Sequence, residues 1–121
     1  MIDINEIEEG VLIEASEFNY CIENLVNDIT ARGKGLSREE IYRFACNIIG
    51  SLLARGLVKL VRTTCKEVEE DLYDRVSERE LTDEELDLIL QKPDKWDERD
   101  VFSITEVYEM SITGEGRKAL P

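Results

Sequence analysis

The stretch "LLARGLVKL" (52–60) constrains the fold more than any other, because it turns a helix directly into a strand. Upstream, Ser37 and Glu40 have the spacing of a capping box, in which a hydroxyl and a carboxylate satisfy the first free N–H groups of a helix. Ile41, Phe44, Ala45, Ile48, Ile49, Leu52 and Leu53 then cover more than half of a helical circumference. So wide an apolar face belongs to a central helix, spanning 38–55 and contacted on several sides. Gly56 ends it by admitting left-handed geometry. "LVKLVRTTC" (57–65) follows as a short β-rich run. Its partner is "EVYEMSIT" (106–113), where Tyr108, Met110 and Ile112 alternate with Val107, Glu109 and Ser111.

The remaining segments fit around this joint. Ile4, Ile7, Val11, Ala15, Phe18, Cys21, Ile22, Leu25, Val26 and Ile29 recur at steps of three and four, which predicts a helix over 3–31, with two shorter helices as the alternative because Gly10 weakens the middle. Ile13 and Tyr20 fall on its outer side. "ARGKG" (31–35) terminates it. About forty acid-rich residues separate the two strands. Within them Val68, Leu72 and Val76 stand four apart and suggest a helix. "LTDEELDLILQKPDKW" predicts a clearer one, with Thr82 and Glu85 as a second capping box and Pro93 as its stop. The expected architecture is a single α+β domain over 1–121: helices 3–31 and 38–55, a β-hairpin 57–65/106–113, and an acidic helical insertion between its strands.

Charge is segregated. The chain has 121 residues and a formal net charge of −13. Residues 1–31 sum to −8, 32–66 to +6, 67–115 to −13, and the tail to +2. A basic middle between two acidic blocks means either charge balancing inside the fold or two surfaces with different tasks. No apolar run approaches the ~18 residues of a membrane span. The acidic start has no signal-peptide pattern, so a cytoplasmic location is expected.

The residue inventory argues against catalysis. There is no histidine, the commonest general base. Cys21, Cys46 and Cys65 have no such base to activate them and match no zinc or redox spacing; they read as small buried thiols. No phosphate loop or nucleophile elbow occurs. "DKWDERDVFSIT" (94–105) has calcium-loop-like acids, but Arg99 and Thr105 stand where that loop requires Gly and Glu. Neither an enzyme nor a resident metal or cofactor is expected.

Residues 36–62 and 107–120 resemble the winged helix-turn-helix superfamily: a capped helix, "LLARGLV" leading to a strand, and a returning strand closed by T-x-x-G. The resemblance implies a DNA-binding regulator in which the end of the first helix is the positioning helix and "ARGKG" the turn. Arg38, Arg43 and Asn47 would then face the major groove, with Arg32 and Lys34 on phosphates. Glu39 and Glu40 on the same helix, and many carboxylates where a wing would sit, oppose contact with DNA. By size, acidity and lack of catalytic motifs the chain is also similar to bacterial immunity proteins of the contact-dependent growth inhibition type. That likeness implies a non-catalytic inhibitor that occludes a basic, nucleic-acid-directed toxin. Its contact residues would be Glu69, Glu70, Asp71, Asp74, Glu78, Asp83, Glu84 and Asp87, with Tyr73 and Trp96 as aromatic anchors. This inhibitor reading is the leading expectation, the regulator its alternative, and a subunit or adaptor whose acidic surface only provides solubility the third. A homodimer is compatible with both.

Overall fold

The structure is a computed structural model that describes residues 3–93, 96 and 105–120. Its elements are α1 (Ile4–Glu17), β1 (Tyr20–Cys21), α2 (Ile22–Arg32), α3 (Arg38–Ala54), β2 (Val58–Glu69), β3 (Leu72–Glu80), α4 (Asp83–Gln91), β4 (Glu106–Ile112) and α5 (Gly114–Lys118). Among the described residues the fold is thus α+β, with five helices and one antiparallel sheet ordered β1-β4-β2-β3. None of these helices is long and apolar enough to cross a membrane.

The joint after α3 is a Schellman motif. Gly56 has φ +70°, its N–H donates to the Leu53 carbonyl, and the Leu57 N–H donates to that of Leu52. The chain leaves as β2, which pairs with β4 from Val58↔Ile112 to Thr64↔Glu106, the pairing expected from sequence. Thr113 then returns to the joint. Its hydroxyl donates to the Gly56 carbonyl (2.6 Å), its N–H donates to the Leu57 carbonyl, and the same hydroxyl caps α5 at the Gly116 N–H. Gly116 is buried against this turn, and a β-carbon there would collide with the Leu57 carbonyl oxygen. T-x-x-G is therefore the clasp on the helix–strand joint. Both predicted capping boxes form, Ser37 with Glu40 on α3 and Thr82 with Glu85 on α4.

Two expectations are corrected. The helix predicted over 3–31 is broken. Phe18 is extended (φ −144°, ψ 153°), and Tyr20–Cys21 pair with β4 as Tyr20↔Met110 and Cys21↔Glu109. The break resets the helical phase, so Phe18 is 77% exposed and Tyr20 is buried, the reverse of the periodicity reading. Strand pairing overrides a continuous period here; Gly10 lies inside α1 and does not interrupt it.

The segment between the two strands is not wholly helical. β2 runs on to Glu69, and residues 72–80 form β3, paired from Val61↔Glu80 to Glu69↔Leu72. The fourfold spacing of Val68, Leu72 and Val76 misled because four is also a multiple of the strand period. Among the described residues there, α4 is the α-helix.

One face of the sheet carries Val58, Leu60, Tyr108 and Met110 into a core shared with Ile7, Val11, Leu25, Ile29, Ile48, Ile49 and Leu52 of the helices. Leu52→Ala is expected to cost about 2–5 kcal/mol by removing a fully buried side chain. Gly116→Ala should cost about 1–3 kcal/mol through overpacking of the clasp. Gly10→Ala, in a helix interior with open space around it, should instead gain about 0.5–1 kcal/mol. Urea denaturation of the three variants checks the set.

Candidate partner-binding surface

β2 and β3 extend past the sheet as a two-stranded arm. The turn is Glu70–Asp71, and Asp71 adopts a left-handed conformation (φ 62°) that Asp tolerates better than most residues. The structure brings Glu69, Glu70, Asp71, Asp74 and Glu78 together on this arm, all exposed. Tyr73 is half-buried beside them. Its phenol is held above its usual pKa, first by desolvation and then by Glu67 and Asp71. Asp83, Glu84 and Asp87 are exposed on α4. Val68, Leu72 and Val76, each about half exposed, add aliphatic surface to the arm.

Trp96 is not part of this surface. It is 1% exposed, its indole N–H donates to the Ile89 carbonyl (2.7 Å), and its ring packs against Tyr42 at 5.6 Å. It anchors the end of α4 to α3, so the aromatic-anchor assignment is corrected to a core role. The remainder of the 94–105 stretch weighed as a calcium loop, Thr105 excepted, lies outside the described residues. Among the described residues no cluster of three or more His, Cys, Asp or Glu could hold a metal ion.

The arm is fastened to the sheet by a network that sequence reading missed. Arg75 on β3 reaches across β2 to Glu109 on β4 in a bidentate pair, Nη1 to Oε1 at 2.5 Å and Nη2 to Oε2 at 2.6 Å. The Thr63 hydroxyl donates to the same Oε1 (2.6 Å). Thr63 and Glu109 are almost wholly buried, on the sheet face opposite the main core. Nearby, the Asn19 amide donates to Glu78 (2.8 Å). The period-two pattern placed Glu109 on β4's non-core face but could not show that a cation would reach across β2 to cover it. On the other side of the arm, Arg79 forms a bidentate pair with Glu85 at 2.7 and 2.8 Å. Arg79, then the Thr82 N–H, hold the Glu85 carboxyl down at about 2.

Four arginines of the basic middle are ion-paired, while Lys34, Lys59 and Lys66 are exposed. Arg32 pairs with Asp28 (3.0 Å) and Glu6 (3.3 Å), Arg43 with Glu39 (3.1 Å), Arg55 with Glu8, and Arg62 with Glu106. Arg38 donates to the Tyr42 hydroxyl (3.1 Å). Lys34 is exposed in the 33–37 turn, and Asn47 is exposed on α3. Arg38, Arg43 and Asn47 do share one face, beside a cavity of about 710 Å³ that Cys46 and Leu90 also line. Burial pushes the Cys46 thiol up to about 11 and raises Cys21, so neither favours a thiolate at neutral pH.

Compared with known proteins, the chain matches no family model, no curated protein and no solved structure.

Two outcomes test this surface's framework. Arg75→Met should destabilise by about 1–3 kcal/mol, because the buried Glu109 carboxylate loses its charged partner and keeps, among the described residues, the Thr63 hydroxyl. Glu85 has a depressed folded pKa, so its contribution is present above its ordinary value near 4.5 and is lost as pH falls from there toward 2. A stability-against-pH curve should steepen over that window, and Glu85→Gln should flatten it.

Proposed function

We propose that the chain is a winged-helix-type module that works by binding a basic protein, as an inhibitor that occludes a nucleic-acid-directed toxin. The order α2, turn, α3, then a two-stranded β2–β3 arm supports the winged-helix reading. The observation that carries the function is the position of the acidic residues: Glu69, Glu70, Asp71 and Asp74 crowd the exposed arm, where a DNA-binding relative needs cations. Such a surface attracts a basic groove and speeds encounter with it. The mechanism is steric and electrostatic occlusion, with no bond made or broken. The cytoplasm is the proposed location, where such an inhibitor meets its target.

A second reading, a DNA-binding regulator, draws on one specific observation. α2, the 33–37 turn and α3 form two successive helices that present Arg38, Arg43 and Asn47 on one face. The Arg43–Glu39 pair weakens it, since Glu39 would meet the phosphates with its partner.

The test is a pull-down from native-strain lysate at low and moderate salt, with and without nuclease treatment. A basic protein retained after nuclease is expected. Glu69→Lys, Glu70→Lys and Asp74→Lys together should weaken its binding by about tenfold or more, in a salt-dependent way, without changing the melting temperature by more than a few degrees. Recovery of DNA alone, lost after nuclease or on Arg43→Glu, would replace the inhibitor reading by the regulator.

A further inference from the structure

The arm also determines how a partner can be held. β3 is the last strand of the order β1-β4-β2-β3, and among the described residues its only ladder is with β2. An edge strand presents a row of backbone N–H and C=O groups on its open side, a template for a further strand. β3 has nine residues and no proline, so it spans about 30 Å. Proteins usually guard such an edge with charged side chains, lysine above all, with proline or with β-bulges. Here the two cations of β3 are turned aside: the Arg75 guanidinium is clamped on Glu109 and that of Arg79 on Glu85. The strand leaves Asp74, Ser77, Glu78 and Glu80 exposed, Leu72 and Val76 about half exposed, and the two clamped arginines half exposed, while Glu78 also accepts from the Asn19 amide.

We propose that the open edge of β3 takes up an extended, basic polypeptide segment of the partner as a fifth strand. The proposal rests on the protein-binding reading above and gives its mode. Backbone pairing supplies a sequence-independent part of the affinity, and alternate side chains of the guest supply specificity. Lys or Arg on the guest opposite Glu78 and Glu80, which share a face of the sheet, forms cross-strand ion pairs, and past the register shift the guest's other face brings a cation to Asp74. A second copy of this chain is a poor guest, since it would bring its own acids and a net charge of −13 to the same edge. The register shift between Thr64 and Cys65 leaves Val76 between the paired Arg75 and Ser77, so the guest accommodates a kink at that point.

The experiment uses the full chain and a capped ten-residue peptide alternating Lys or Arg with Val or Thr. A second peptide has the same sequence with alternate backbone nitrogens methylated, so that charge is kept and strand pairing is lost. Affinity is read by calorimetry, and the contacted residues by amide hydrogen exchange. The first peptide should bind about tenfold or more tightly than the second, slow exchange at β3 amides, and lose about tenfold on Asp74→Lys with Glu80→Lys. Equal affinities, or protection away from β3, would overturn strand addition while leaving acidic-surface recognition standing. Absence of binding by either peptide at low salt would remove both.

Discussion

The rest of the structure depends on the clasp between Thr113 and the α3–β2 joint. A helix that ends in a Schellman turn fixes the direction in which the next strand leaves. Thr113 bonds the turn at Gly56 and Leu57 and caps α5, so the end of β4 is held at the start of β2. With that point pinned, β2 and β4 can zip in register from Val58↔Ile112. β4 then becomes a central strand, with β1 on its other side, and Met110 sits fully buried between them. The helices close over the resulting apolar face. The Cys65 N–H still donates to the Thr105 carbonyl (2.7 Å), and beyond it β2 is paired only with β3 among the described residues, which makes the arm.

Electrostatics divides the molecule in the same place. Near the helices, cations and acids neutralise one another across segments distant in sequence, as in Arg55 with Glu8 and Arg62 with Glu106. The segregated charge of the sequence is in this respect charge balancing within the fold. Exposed pairs of this kind contribute little stability each, but they leave few cations to face a polyanion. The arm is different. Its two arginines, each half exposed, are bonded back to Glu109 and Glu85, and Glu69, Glu70, Asp71 and Asp74 are exposed and outnumber the one exposed lysine, Lys66. The same clamps that hold the arm in place therefore set the sign of its surface.

Local chemistry was legible wherever the signal lay within a few residues. Ser37 with Glu40 and Thr82 with Glu85 marked two helix starts correctly, because a capping box is completed inside one turn. Gly56 marked the end of α3 for the same reason. The acidic candidates on the arm and α4 are all exposed, as their charge density implies. Trp96 was misassigned because an aromatic near acids looks alike whether it is an anchor or a core residue. Burial against Tyr42 and Ile89 is a matter of α3–α4 packing.

By itself the sequence determined the capped helices, the joint at Gly56, the pairing of β2 with β4 and the acidic excess, all set by short-range propensity or by clean alternation. Only the tertiary structure decided three things. The first helical segment broke at Phe18 because Tyr20 and Cys21 pair with β4. Residues 72–80 became a strand because β2 offered them an open edge, which a spacing of four fits as well as a helix does. Glu109 became a buried anchor because Arg75, two strands away, could reach it. In each case the deciding partner lies more than thirty residues away or on a strand whose neighbour is fixed only by folding, and no local pattern encodes such a meeting.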